Sequence, residues 1–152
     1  MITAWRICKT KHAHTAFDGR GAAEFPGRWN PLGVRAVYTS ENRSLAQLEV
    51  IANADDRELL TAAAWSVIPV RFDLDLLHAP EKFPDDWRQV PAPDSTRRFG
   101  GDWLKKGVSP ALRVPSVATP GEYNYILNPN HPEFRRLAIG PPEAFTFDSR
   151  VK

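Results

Sequence analysis

The sequence predicts an α+β domain whose sheet is largely antiparallel. Its 152 residues are enough for one sizeable core and too few for two. The predicted strands and helices alternate irregularly, whereas a parallel sheet requires regular strand–helix–strand units. Fourteen prolines against nine glycines predict short elements with ordered connections. We therefore treat residues 1–152 as a single domain.

The first forty residues predict two strands separated by a long structured loop. Residues 2–8 alternate as a strand and place Arg6 on an otherwise apolar face. Residues 11–33 combine glycines, prolines and scattered charges, which predicts a loop, and loops of this length in a small domain are usually functional. A second short strand over residues 34–39 includes Tyr38.

A helix follows this second strand. Its start is indicated by Asn42 or Ser44, and Gln47 lies three residues after Ser44, as in a capping box. Glu49 flanks the apolar stripe of this helix, so we expect its carboxylate at the boundary between core and solvent. The residues of the stripe are Leu45, Leu48 and Ala52.

The second half of the chain predicts shorter elements. They are a strand over 65–74, a loop over 79–93 with one turn near Trp87, a helix over 96–106, and strands over 112–116, 125–127 and 144–147.

Composition narrows the cellular setting and the partners. The 20 basic and 18 acidic side chains give a net charge of only +2, which does not call for a polyanionic partner. Cys8 is the only cysteine, so no internal disulfide forms. No signal peptide and no apolar run long enough for a membrane span is present, and we expect a cytoplasmic protein without membrane contact.

Several common chemistries lack their sequence motifs. There is no phosphate-binding loop, and Gly19 and Gly21 are not followed by the third glycine of a dinucleotide fingerprint. The four histidines are scattered without partners at ligand spacing, so we predict no metal site. Ser116 lacks the motif of a hydrolase nucleophile.

Four polar residues from separate elements could together form a binding or catalytic site. Arg6 and Arg28 suit an anionic ligand because guanidinium groups bind phosphate oxygens bidentately. Tyr38 offers a stacking surface for a flat or cationic ring, and Glu49 offers a negative charge for an oxocarbenium-like transition state. Each also has an ordinary interpretation: Arg6 extends to solvent, Arg28 pairs with Glu24, Tyr38 belongs to the core and Glu49 is solvated.

Several segments, read in order, resemble the RES domain, a family named for an arginine, a glutamate and a serine. By this resemblance those three residues are Arg28, Glu49 and Ser116. The matching segments span nearly the whole chain, and Pro26 departs from them where a second glycine is common. They are Trp5–Ile7, Phe17, Gly19–Ala22, Gly27–Pro31 with Gly33, Ala36–Glu41, Leu45–Glu49, Leu112–Ser116 and Glu122–Pro132.

The resemblance implies a fold similar to that of ADP-ribosyltransferases, with a split sheet that grips NAD. NAD is then a substrate that loses nicotinamide, and no cofactor or metal is needed. Arg28, Tyr38, Glu49 and Ser116 are the implied catalytic group. Arg6, Arg28 and Tyr38 are expected to contact the ligand, together with two neighbours of Arg28 in the loop, Trp29 and Asn30.

The acceptor of the ADP-ribosyl group stays open at this point. Water gives a glycohydrolase, phosphate a phosphorylase, and a macromolecule an ADP-ribosyltransferase. The resemblance also implies a toxin held inactive by an Xre-type antitoxin with a helix-turn-helix domain, with a toxin homodimer inside a larger complex as one form of the assembly. A third interpretation takes the five tryptophans and the pI of about 8.9 as signs of a nucleic-acid-binding module. Tryptophans among apolar residues are usually core residues, so we expect no direct contact with nucleic acid.

Overall fold

The computed structural model describes residues 1–151 and contains eight strands and four α-helices within that range. The strands are β1 (Ile2–Lys9), β2 (Val37–Ser40), β3 (Trp65–Phe72), β4 (Leu77–His78), β5 (Ala111–Pro115), β6 (Tyr123–Leu127), β7 (Ala138–Ile139) and β8 (Glu143–Phe145). The helices are α1 (Arg20–Glu24), α2 (Arg43–Asn53), α3 (Glu58–Ala62) and α4 (Asp94–Lys106).

The strands form one sheet in the order β4-β5-β6-β2-β1-β3-β7, and β8 also pairs with β3. All neighbours are antiparallel except β4 and β5. β1 and β2 share the single register pair Trp5–Ser40, whereas β1 follows β3 along its whole length. The predicted α+β class with a largely antiparallel sheet is therefore confirmed, and the sheet consists of two halves joined at one narrow contact.

The core lies on both faces of this sheet because each strand places alternate residues on opposite sides. Val37 of β2 packs on one face with Ala4 and Leu127. Tyr38 packs on the other face with Ile126 and Trp29. The face that carries Tyr38 is covered by α4 and by the segment before it, through Trp103, Leu104, Phe83, Trp87 and Phe99.

Several predicted boundaries shift in the structure. The loop predicted over 11–33 holds a 3-10 helix (Thr10–Thr15) and α1. The cap of α2 is Asn42, whose side chain accepts from the Leu45 N–H at 2.7 Å, so the capping box predicted from Ser44 does not form. β2 starts at Val37 instead of residue 34, because the Val34 carbonyl accepts a hydrogen bond from the Asn30 side chain.

Beyond that loop, the sequence also did not predict α3 or the very short strands β4 and β7. The two-residue strands carry too few residues to show any periodicity, so only their pairing partners define them. No helix within residues 1–151 is long and apolar enough to cross a membrane.

Candidate active site

The loop that carries Arg28 is organised around Asn30, which is completely buried. Its carbonyl oxygen accepts from the Gly27 N–H at 2.8 Å and from the Tyr38 hydroxyl at 2.6 Å. Its amide donates to the carbonyls of Ala22 at 2.8 Å and Val34 at 3.0 Å. Both ends of the side chain are thus satisfied inside the protein, and Asn30 fixes the loop conformation.

Tyr38 completes this anchor from β2. Its hydroxyl donates to Asn30 and accepts from the Trp29 N–H at 3.0 Å. Burial raises the pKa of the Tyr38 hydroxyl well above its ordinary value, so it remains a neutral donor. The loop lies so close that a Cβ on Gly27 would be 2.6 Å from the end of the Tyr38 ring, which explains the glycine at this position.

Trp29 lies under the loop, buried against α4. Its ring makes edge-to-face contacts with Phe83 and Phe99, whose ring centres are 5.6 and 5.8 Å away. Its backbone carbonyl packs directly on α4, where a Cβ on Gly100 would approach the oxygen to 1.8 Å. Trp29 and Asn30, which the sequence analysis expected to contact ligand, both have their side chains in the interior.

Arg28 projects from the anchored loop toward the segment before α4. Its Nη1 donates to the carbonyl of Trp87 at 2.9 Å and to that of Gln89 at 2.6 Å. Burial lowers the pKa of Arg28, and the neighbouring Glu49 and Tyr38 oppose that shift. An arginine keeps its charge under such conditions, so the site contains a fixed cation.

Glu49 approaches from α2 and is half-buried. Its Oε2 accepts from the Asn124 amide at 2.6 Å, and the Asn124 carbonyl oxygen accepts from the Ser40 hydroxyl at 2.7 Å. Desolvation raises the pKa of Glu49, while hydrogen bonds from Asn124 and Ser116 and the charge of Arg28 partly offset this effect. Asn124 of β6 therefore holds the carboxylate in one position, and Ser40 of β2 in turn holds Asn124.

Ser116 is completely buried directly after β5. Its hydroxyl oxygen accepts from the Thr119 N–H at 3.1 Å, and its own N–H donates to the Glu122 carbonyl at 2.9 Å. The Ser116 hydroxyl also acts on Glu49 as a hydrogen-bond donor that lowers the pKa of the carboxyl. Ser116 thus supports the carboxylate from within the protein.

Arg6 belongs to the opposite face of the sheet from Tyr38. Trp5 pairs with Ser40, which lies on the Tyr38 face, so the next residue of β1 points to the other side. The Arg6 Nη1 donates to the Tyr38 backbone carbonyl at 3.0 Å, and the nearby Cys8 and Asp18 partly offset the burial that lowers the Arg6 pKa. Arg6 therefore joins the two half-sheets where β1 and β2 diverge.

The structure brings together Arg28, Tyr38, Glu49 and Ser116, whereas Arg6 starts from the other face of β1 and its Nη1 contacts the Tyr38 backbone carbonyl. Sequence reasoning assigned no role to Ser40, Asn124 or Arg97, which border the same site. Asn124 stood within a segment quoted for the family resemblance, and only its register opposite Ser40 reveals its role. Arg97 lies at the start of the helix predicted over 96–106, where a charged residue is ordinary.

Two surface depressions in residues 1–151 lie away from these side chains. One, of about 340 Å³, is bordered by Lys9, Leu59 and Ala63. The other, of the same volume, is bordered by Arg35, Lys105 and Asn130. We assign the site by its converging polar groups because neither depression contains a buried charge. No cluster of three potential metal ligands occurs in this part of the chain.

Comparison with known proteins identifies the class. The family model described as the RES domain matches residues 3–148, and the chain belongs to this family. A protein called Toxin Res from Yersinia enterocolitica serotype O:8 / biotype 1B is 35% identical over 149 residues, which is 97% of this chain and 98% of that protein. A protein called Prs ADP-ribosylating toxin from Sphingobium sp. (strain YBL2) is 31% identical and covers 97% of this chain and 94% of its own length.

A solved structure shows the same fold. A chain in the crystal structure of the M. tuberculosis MbcT–MbcA toxin–antitoxin complex superimposes with a TM-score of 0.75 at 17% identity, covering 95% of this chain and 84% of that one. At this level of identity the likeness concerns the fold alone. It agrees with the mixed architecture and the curled antiparallel sheet described above.

Proposed function

We propose that this chain is the toxin of a toxin–antitoxin pair and that it cleaves the bond between nicotinamide and ribose in NAD. Membership of the RES family and the names of its relatives support the toxin assignment. The observation that carries the chemistry is the half-buried Glu49 carboxylate, held by Asn124 at 2.6 Å in a site that also contains the fixed Arg28 cation.

The proposed reaction matches what these groups supply. The nicotinamide ring is cationic in NAD and becomes neutral when its nitrogen takes the electron pair of the broken bond, so its departure from the ribose needs no general acid. The ribose carbon becomes cationic as the bond lengthens, and a preorganised carboxylate such as Glu49 stabilises that charge. Partial burial strengthens the interaction because the local dielectric is lower than in water.

The other residues serve position and binding in this proposal. Arg28 binds phosphate oxygens with the donors that its contacts to Trp87 and Gln89 leave free. The Tyr38 ring borders nicotinamide or its ribose, while its hydroxyl holds the Arg28 loop. Trp29 and Asn30 act through that loop. Ser116 holds Glu49 and so affects the acceptor indirectly.

Two kinds of acceptor remain candidates. Water or inorganic phosphate gives free or phosphorylated ADP-ribose, and this destruction of NAD is our first proposal. Transfer of ADP-ribose to a macromolecule is the second, favoured by the relative called Prs ADP-ribosylating toxin, which is similar over 97% of this chain. Both share cleavage of the same bond and differ only in what attacks the ribose.

The direct test incubates purified protein with NAD, with and without phosphate, and identifies products by chromatography. We expect nicotinamide release, and Arg28→Ala and Glu49→Ala should each lower its rate at least a hundredfold while the circular dichroism spectrum is retained. The matched control is Glu143→Ala, because Glu143 is an exposed carboxylate in a surface ion pair with Arg43. Unchanged turnover in both site variants would contradict the assignment. Mass spectrometry of target proteins distinguishes transfer from hydrolysis or phosphorolysis.

We further propose a cytoplasmic complex with an Xre-type antitoxin that carries a helix-turn-helix domain and contacts the DNA, so that the toxin itself touches neither nucleic acid nor membrane. Co-purification of the two chains, followed by light scattering, would give the stoichiometry and show whether the toxin is a homodimer within the complex. Turnover in the presence of a chelator should equal turnover without it, because the proposed chemistry needs no metal.

A further inference from the structure

Arg97 reaches from α4 to the loop that carries Arg28. Its Nε donates to the Gly27 carbonyl at 3.3 Å, one residue before Arg28. The Arg28 guanidinium is itself fixed by the carbonyls of Trp87 and Gln89. Arg28 is thus part of the loop and is held by carbonyls of the segment before α4, whereas Arg97 on α4 is held by the loop itself through the Gly27 carbonyl.

Neither cation is neutralised by a salt bridge within residues 1–151, where the ion pairs involve Arg43, Arg136 and Arg150. Each guanidinium keeps donors that make no hydrogen bond within residues 1–151. They are both Nη atoms of Arg97, and the Nε and Nη2 atoms of Arg28. Their closeness is unfavourable, since the charge of Arg97 lowers the Arg28 pKa. A protein that holds two like charges together with free donors is suited to an anion.

We infer that Arg28 and Arg97 form one site for a diphosphate group and hold the pyrophosphate of the dinucleotide. This inference rests on the proposed function, which supplies the ligand. Two guanidinium groups offer planar pairs of donors to the oxygens of adjacent phosphates. The helix that carries Arg97 covers the sheet face on which Tyr38 lies. Arg6 is not part of this pair, since its Nη1 is hydrogen-bonded to the Tyr38 backbone carbonyl.

The test compares Arg97→Met with Arg98→Met. Methionine keeps much of the aliphatic length and removes the charge, and Arg98 is an exposed neighbour on α4 without a hydrogen bond or ion pair in the described chain. Calorimetric titration with ADP should show binding that is weakened roughly tenfold to a hundredfold in Arg97→Met, the range expected for charge-assisted hydrogen bonds to phosphate, and unchanged in Arg98→Met.

Kinetics provide the second measurement. For NAD, Arg97→Met should raise KM by roughly tenfold with little change in kcat, because the diphosphate contact is made equally before and during bond cleavage. For nicotinamide riboside, which has no phosphate, kcat/KM should be the same in wild type and variant. If Arg97→Met does not fold, Arg97→Lys keeps the charge without the planar fork and should show a smaller loss in the same direction.

The outcomes separate this inference from the proposed function. If wild type binds ADP and Arg97→Met does not, the diphosphate site stands even when NAD is not cleaved. If NAD is cleaved but Arg97→Met behaves like Arg98→Met in both measurements, the inference is wrong and the proposed function stands. Wild-type protein that fails to bind ADP also overturns the inference.

Discussion

Replacing Tyr38 with phenylalanine tests whether the loop anchor determines both stability and activity. The change keeps the aromatic ring in its cluster with Trp29 and Ile126 and removes only the hydroxyl. That hydroxyl is the acceptor for the Trp29 N–H at 3.0 Å and a donor to Asn30 at 2.6 Å. Asn30 keeps its hydrogen bond from Gly27, whereas the Trp29 N–H loses its partner in a buried environment.

The expected cost follows from that count. A buried donor left without a partner costs roughly 1–3 kcal/mol, and the loss of the hydrogen bond to Asn30 adds little. We therefore expect the free energy of unfolding to fall by about 2 kcal/mol. For a domain of this size that corresponds to a decrease in Tm of roughly 4–8 °C. Nicotinamide release should fall as well, because the loop no longer holds Arg28 in one position.

Thermal unfolding by circular dichroism measures the first effect, and Tyr125→Phe is the matched control. Tyr125 lies on the opposite face, and its hydroxyl makes no hydrogen bond within residues 1–151. Its loss should change stability by less than about 0.5 kcal/mol. A Tyr38→Phe protein that melts within about 1 °C of wild type, and so loses far less than an orphaned buried donor costs, would refute the anchor.

Two further changes concern Glu49. Burial raises the Glu49 pKa in the folded state, so the charged carboxylate lowers the free energy of unfolding above that pKa. Glu49→Gln should therefore melt at a higher temperature than wild type at pH 7, and this gain should disappear as the pH falls below the pKa of Glu49 in the unfolded chain. An equal or lower Tm at pH 7 would contradict this. Asn124→Ala removes a hydrogen bond that lowers the Glu49 pKa, so the acid limb of the pH–rate profile should move to higher pH. Asn128→Ala, which loses a buried hydrogen bond to the Leu104 carbonyl, should leave that limb in place. Coincident profiles for the two variants would argue against a role for Asn124.

The candidate site was partly predictable from the amino-acid sequence. Arg28, Tyr38 and Glu49 come from a glycine-containing loop, a strand and a helix boundary, and each of these contexts was predicted from local pattern. Arg6 was predicted for the same group because it lies on an apolar strand face and, with Arg28, suits an anionic ligand. The face of the sheet on which Arg6 lies depends on the register between β1 and β2. That register is set by the pair Trp5–Ser40, which no local sequence pattern shows.

The sequence by itself determined the class of fold, the strands with clear alternation and the residues able to bind an anion, because periodicity and residue chemistry are local properties. Only the tertiary structure decided which of those charges meet. Asn124 contacts Glu49 across 75 positions of sequence, and Arg97 contacts the Gly27 carbonyl across 70. Such contacts depend on the register of the sheet and on how α4 packs against Trp29, and both are set by the burial of the whole core.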